Sequence, residues 1–267
     1  NGGTTTLRGV YESAATTIAA NNITIIGTST GVPAWATQIG TLTINSTSIA
    51  GNISVTGNYI GNPGNAGGIY QIGTITGASG SNISFISNNN ISQNGAINLA
   101  ANTSGTAANI TYDITTGNKT SSILAGALSI PSGSSSNINY IIKTAGSAIN
   151  PAAIGSSSVA LPGYVLIDNT YGCTASTPAC TPVSGFINTT TANLATLATG
   201  SVGVTMNNAI YARDSITVNG VTGGASNTGI DYSVALISTS SNVILNGGAT
   251  DGRAVYNSVA STITANN

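Results

Sequence analysis

Charge is almost absent from this chain, and that limits its fold more than any other feature. Across 267 residues there are five Lys and Arg, six Asp and Glu, and no His. An ordinary soluble domain is about a quarter charged. In place of charge stand Asn, Thr, Ser and Gly, interleaved with short β-branched pairs. Asn22-Ile-Thr-Ile-Ile-Gly27, Gly51-Asn-Ile-Ser-Val-Thr-Gly57, Ser81-Asn-Ile-Ser-Phe-Ile-Ser87, Asn109-Ile-Thr-Tyr-Asp-Ile-Thr115 and Ser215-Ile-Thr-Val-Asn219 are representative. Such alternation puts apolar side chains on one side of an extended backbone and polar ones on the other, which is the mark of a half-buried strand. Hydrophobic residues make up 40% of the chain, enough apolar surface to build a core rather than a disordered segment.

Strands this short, bounded by Gly, Asn and Ser, suit a sandwich, a barrel or a β-solenoid. Internal repetition favours the solenoid. Gly9-Val10-Tyr11, Gly68-Ile69-Tyr70, Ala209-Ile210-Tyr211 and Ala254-Val255-Tyr256 share a small–aliphatic–Tyr core, and Gly229-Ile230-Asp231-Tyr232 is the same with one insertion. Tyrosines recur at 24 residues, from Tyr140 to Tyr164 and from Tyr232 to Tyr256. The expected architecture is all-β, a parallel β-helix with roughly 20–25 residues per coil, in which each coil covers the apolar side of the one below. Asn at the turns is expected to stack into amide ladders along the rod. The Asn-Gly steps at 94–95, 219–220 and 246–247 read as sharp turns. Glu12 to Ala20 reads as strand–turn–strand, because its Thr pair weakens a helix.

One solenoid segment over 1–267 is expected, with 145–200 as an irregular loop or insertion. There Pro151, Pro162, Pro178 and Pro182 cluster around Cys173 and Cys180, and Pro cannot donate to a ladder. The two cysteines read as a local disulfide pinning a loop, which places the chain outside the cytoplasm. The chain opens Asn1-Gly2-Gly3, without Met, as a processed or excised piece would.

Several functions lose their chemistry at this composition. A net charge of −1 steers neither nucleic acid nor anionic lipid. No apolar run approaches the ~20 residues that span a bilayer. Without His there is no Ser-His-Asp arrangement, and two Cys alone do not make a zinc site. No cofactor or metal is expected. An enzymatic alternative is a polysaccharide-processing β-helix, which needs clustered carboxylates. Its candidates are Glu12, Asp113, Asp168, Asp214, Asp231 and Asp251, with Arg213 and Arg253 beside the last three. The competing reading of these residues is local ion pairing and turn capping.

The most regular coils are Gly229-Ile-Asp-Tyr-Ser-Val-Ala-Leu-Ile-Ser-Thr-Ser-Ser-Asn-Val-Ile-Leu-Asn-Gly247 and Asp251-Gly-Arg-Ala-Val-Tyr-Asn-Ser-Val-Ala-Ser-Thr-Ile-Thr-Ala265. Gly-aliphatic-Tyr, a Ser/Thr run, then Asn-aliphatic-x-aliphatic-x-Gly resembles the repeats of filamentous-haemagglutinin-like bacterial surface adhesins. The resemblance implies a right-handed β-helix, an extracellular position on the bacterial surface, and adhesive or fibre-forming work without catalysis. Its partners would be further repeats or other copies end to end, and a cell-surface protein or carbohydrate. A self-assembling filament or matrix protein without a receptor is the alternative.

Candidate contact residues are few. Trp35, the sole Trp, stacks on a sugar in one reading and plugs a coil corner in the other. Tyr171 beside the cysteines is a second candidate surface contact. Thr-x-Thr pairs at 41/43, 74/76 and 262/264 would suit an ice-binding face, but their spacing along the chain is too irregular for an array. Asn-x-Ser/Thr sequons at Asn22, Asn45, Asn52, Asn82, Asn90, Asn102, Asn109, Asn118 and Asn188 are possible glycan acceptors.

Overall fold

The computed structural model describes residues 2–4, 8–13, 16–30, 35–44, 50–60, 67–78, 80–100, 108–114, 122–130, 137–144, 148–169 and 202–266. Each Asn-Ile-polar-aliphatic segment becomes a strand with the aliphatic pair buried and the hydroxyl residue between them turned out, as period-2 alternation dictates. The strands follow one another in threes. β1 (Gly2–Thr4), β2 (Val10–Tyr11) and β3 (Thr17–Ala19) open the stack, followed by β4 (Asn22–Ser29), β5 (Thr37–Ile39) and β6 (Thr41–Thr43). Next come β7 (Asn52–Tyr59), β8 (Gly67–Gln71) and β9 (Ile75–Ala78), then β10 (Asn82–Ser87), β11 (Asn90–Gln93) and β12 (Ile97–Ala100). β13 (Ala108–Ile114), β14 (Ser122–Ala125) and β15 (Leu128–Ser129) lead to β16 (Ile138–Thr144) and β17 (Ala148–Pro151). β18 (Val165–Asp168), β19 (Val202–Met206) and β20 (Ile210–Ala212) continue the stack. β21 (Ile216–Tyr232), β22 (Leu236–Ser238), β23 (Val243–Asn257) and β24 (Ile263–Thr264) end it. No helix occurs among the described residues, and of the strand–turn–strand expected over Glu12 to Ala20 the described residues hold one strand, β3, with Glu12 and Ser13 outside any strand.

The strands pair in parallel from coil to coil, giving a three-faced β-solenoid. Face 1 runs β1-β4-β7-β10-β13-β16-β18-β21, and face 2 runs β2-β5-β8-β11-β14-β17-β19-β21. The two meet because β21 is long enough to turn the corner and serve both, and β23 pairs with it along both halves. Face 3 runs β3-β6-β9-β12-β15, passes through bridges at Ile154, and resumes as β20-β22-β24. The Asn-Gly steps at 219–220 and 246–247 therefore lie inside β21 and β23, not at sharp turns. They mark the corner where faces 1 and 2 of one coil converge. At the same corner of an earlier coil, a Cβ on Gly57 would lie 2.1 Å from the Gly68 carbonyl oxygen, so only glycine lets the two backbones close.

The core is a set of side-chain columns parallel to the rod axis. On face 1 one column is Ile23, Ile53, Ile83, Ile110, Tyr140, Val165, Ile216 and Val243. Its neighbour is Ile25, Val55, Phe85, Tyr112, Ile142, Ile167, Val218 and Leu245. Each fully buried aliphatic contributes roughly 1.5–3 kcal/mol by leaving water, and here each packs on its counterpart one rung away. Phe85 stacks on Tyr112 with centroids 5.2 Å apart, and Tyr140 lies beside Tyr112 at 5.6 Å.

Coil length departs from the expected 20–25 residues. It is 30 from Asn22 to Asn52 and from Asn52 to Asn82, and 27 from Asn82 to Asn109. Outside the coil that includes 170–201 it ranges from 22 (Ile69 to Ile91) to 33 (Leu42 to Ile75), and across that coil Ile149 to Val204 is 55. The tyrosine spacing misleads for a physical reason: Tyr140 pairs with Val165 rather than Tyr164, and Asp231 rather than Tyr232 pairs with Tyr256. Corner loops vary in length without disturbing the columns, so the register follows the inward aliphatics and not any single aromatic. Within 145–200, β17 and β18 join the ladder, and the chain between the paired residues Ile149 and Val204 includes the segment 170–201, which lies outside the described residues.

Candidate functional site

Face 2 carries the outward column that differs most from the small polar side chains elsewhere. Its register places Tyr11, Gln38, Tyr70, Ser92, Leu124, Asn150, Thr205, Asp231 and Tyr256 one above another. The small–aliphatic–Tyr repeat explains the aromatic positions. The small residue sits at the tight corner, the aliphatic turns inward, and the Tyr turns out. Gly9-Val10-Tyr11, Gly68-Ile69-Tyr70 and Ala254-Val255-Tyr256 share this placement, whereas Ala209-Ile210-Tyr211 lies on face 3.

At each end of the column an arginine stacks on the tyrosine three residues after it. The Arg8 guanidinium lies 4.7 Å from the Tyr11 ring centre, and that of Arg253 lies 3.8 Å from the Tyr256 ring centre. Tyr11 is 60% exposed, and both arginines are exposed. A guanidinium over an exposed ring gains about 0.5–1 kcal/mol and keeps its N–H fork facing outward. The other two described cations are engaged: Lys143 pairs with Asp113 at 3.1 Å and Arg213 with Asp214 at 2.7 Å. Among the described residues no carboxylate pairs with Arg8 or Arg253. The sequence carries a signal for this arrangement: Arg8-Gly-Val-Tyr11 and Arg253-Ala-Val-Tyr256 are one motif, Arg-small-Val-Tyr.

Trp35 lies at the corner preceding face 2 and stacks on Tyr70, with centroids 5.2 Å apart and planes at 21°. The Tyr70 hydroxyl accepts a hydrogen bond from Asn94 Nδ2 at 3.1 Å. The indole covers Gly67, where a Cβ would overlap the ring at 1.7 Å. Trp35 thus covers the Gly67 corner and is half-buried, as is its partner Tyr70. Cys173, Cys180 and Tyr171 lie outside the described residues.

The proposed carboxylate constellation is not assembled. Asp214 sits at the turn entering face 1, held in a bidentate pair by its neighbour Arg213, whose Nη2 also donates to Asn137 Oδ1 at 2.8 Å. That pairing holds the Asp214 carboxyl below the usual carboxylate range and raises Arg213. Asp231 lies on face 2, and Asp251 pairs with Ala225 at the corner. Asp113 and Asp168 flank Lys143 in an outward row of face 1, where Asn219 Nδ2 donates to Asp168 Oδ2 at 3.1 Å. Glu12 Oε2 accepts from the Gly40 backbone N–H at 3.2 Å. Among the described residues no group of three or more His, Cys, Asp or Glu gathers into a metal-binding set.

The other outward features are structural in character. Asn52 Nδ2 donates to Asn22 Oδ1, Asn82 Nδ2 to Asn52 Oδ1, and Asn139 Nδ2 to Asn109 Oδ1, at 3.0, 3.2 and 3.0 Å. This is the expected amide ladder. Thr41/Thr43 and Thr74/Thr76 stand on adjacent rungs of face 3, with Thr76 Oγ1 donating to Thr43 Oγ1 at 3.2 Å. The next rungs of that face carry Ala96 and Asn98 in place of Thr. Compared with known proteins, the chain matches no family model, no curated protein and no solved structure.

Proposed function

We propose that this chain is a non-enzymatic adhesive and structural segment of an extracellular bacterial surface fibre, of the filamentous-haemagglutinin-like kind. The observation that supports it is the unbroken parallel stack whose face 2 presents exposed aromatic and cationic side chains at separated heights. A rod of stacked coils is stiff and long for its mass, and contacts spread along it act together. Its partners are cell-surface carbohydrate or protein. A stack with neutral, hydroxyl-rich outer faces needs no membrane or nucleic acid to be stable.

A second reading, a self-assembling filament without a receptor, draws on the last described coil. Ile244, Val255, Val259 and Ile263 are 39–53% exposed there, and the outer edge of β23 pairs with no described strand. An open parallel edge is a template for further coils, whether of the same chain or of another copy.

Electron microscopy combined with binding of the labelled chain to bacterial and host cells tests both. Rods with saturable cell binding support the adhesive segment. Concentration-dependent fibres that bind no cells support the filament. Turnover of a polysaccharide, lost in Asp214→Ala, would contradict both and return the enzymatic alternative.

A further inference from the structure

The two Arg-small-Val-Tyr motifs are far apart in sequence and equivalent in space. Tyr11 and Tyr256 occupy the first and last positions of one outward column. Eight rungs separate them, roughly 38 Å at ~4.8 Å per rung. Each tyrosine carries its own arginine stacked on the ring, at 4.7 and 3.8 Å. In a chain with only five basic residues, the two described cations that pair with no carboxylate among the described residues both fall on this column. Folding alone does not call for that, since neither arginine is buried or closes an ion pair with a described residue.

We infer that face 2 is a track for a carboxylate-bearing polysaccharide laid along the rod, with Arg8–Tyr11 and Arg253–Tyr256 as its two acidic-sugar subsites. The proposal rests on the adhesive reading above and names the ligand class of its surface. A tyrosine ring offers an apolar platform for the C–H face of a sugar. The guanidinium stacked on the ring's opposite face matches a planar carboxylate with two parallel N–H donors. Between the subsites come Gln38, buried at 7% exposure, and Tyr70 under Trp35, then Ser92, Asn150 and Thr205, which hydrogen-bond hydroxyl groups without demanding charge. Leu124 interrupts that run, and Asp231 lies one rung from Tyr256. Asp231 disfavours a densely charged ligand there, as does the net charge of −1. Single-stranded nucleic acid, with a phosphate at every nucleotide, therefore fits less well than a polymer whose acidic sugars can be spaced. A polymer is required because each subsite alone is small; joining two raises the effective concentration of the second contact by a factor set by the span.

The test is binding of the whole chain to fluorescent polygalacturonate, by anisotropy, against its methyl-esterified form, short oligomers unable to reach both subsites, dextran sulfate and single-stranded DNA. The acidic polymer should bind saturably. The ester and the short oligomers should bind about 10²-fold more weakly or worse. Arg8→Gln and Arg253→Gln should each lower the affinity to that of the short oligomers, and the double variant should abolish binding with the far-ultraviolet spectrum unchanged. Arg8→Lys keeps the charge but not the fork, and should lose most of the binding. Equal binding of the ester, of dextran sulfate or of DNA would overturn the assignment, as would full binding by the double Gln variant or by Arg8→Lys. Absence of polygalacturonate binding alongside intact saturable cell binding would overturn this inference and leave the adhesive reading standing. Absence of both would remove the two together.

Discussion

Two tyrosines in the middle of the core share one environment and differ in how well it satisfies them. Tyr112 and Tyr140 are both fully buried. The Tyr112 hydroxyl donates to Gln93 Oε1, which also accepts from the Gly126 N–H, while Gln93 Nε2 donates to the Gly95 carbonyl. The Tyr140 hydroxyl makes no hydrogen bond of good geometry. Tyr112→Phe should therefore cost about 1 kcal/mol in chemical denaturation, and Tyr140→Phe should be neutral or stabilising. Equal losses would contradict the difference. Burial pushes both hydroxyls above the ordinary tyrosine value, with the neighbouring Tyr140 adding to the rise at Tyr112. A raised folded value contributes stability that is complete below the unfolded value, ~10, and lost as pH climbs above it. Absorbance at alkaline pH should show two tyrosines ionising only together with unfolding. Asp214 behaves in the opposite sense. Its depressed folded value contributes above the unfolded ~3.9 and fades as pH falls through the folded one. Both members of that pair are 43% exposed, so screening holds the contribution under about 1 kcal/mol. Asp214→Asn should flatten the acid limb of the stability curve by no more than that.

At the level of the element, one three-residue phrase explains both the strand and the sequons. In Asn22-Ile-Thr, Asn52-Ile-Ser, Asn82-Ile-Ser and Asn109-Ile-Thr, the Asn joins the amide ladder, the Ile enters the core, and the hydroxyl residue faces out. Four of the nine sequons are thus the solenoid repeat written in sequence. They cease at Asn139 and Asn242 because Ile141 and Ile244 take the hydroxyl place two residues on, and between these rungs because Tyr164 and Ser215 take the ladder place. Asn82 donates to Asn52 and accepts from the Asn109 N–H, whereas Asn22, at the ladder's end, accepts from Asn52. Asn82→Ala should lower the unfolding midpoint by the equivalent of about 1 kcal/mol, and Asn22→Ala by about a few tenths. The strands, their inward residues and the ladder were legible because period-2 alternation is local. Coil length was not, because it depends on corner loops, which take it from 22 to 33 residues outside the coil that includes 170–201 without touching the alternation. The candidate face was half legible. The small–aliphatic–Tyr repeat was readable, but that Tyr11 and Tyr256 turn out on one column with Arg8 and Arg253 stacked on them follows only from the long-range register.

For the whole molecule, the claim that everything else requires is parallel climbing along one axis. Thr24, Ser54, Ser84, Thr111, Ile141, Leu166, Thr217 and Ile244 form one outward row of face 1. The charged row beside it, with Lys143 against Asp113, and the hydrophobic columns behind it keep the same order. A sandwich or barrel built from the same strands would fold distant segments back toward Thr24. The direct measurement is a set of spin-label distances from Thr24→Cys to Leu166→Cys, Thr217→Cys and Ile244→Cys, in a background with Cys173 and Cys180 replaced by Ser. Parallel stacking predicts distances near 24, 29 and 34 Å, rising by ~4.8 Å for each further rung. Distances that fail to rise in that order, or that place Ile244 closer to Thr24 than Leu166, would contradict it.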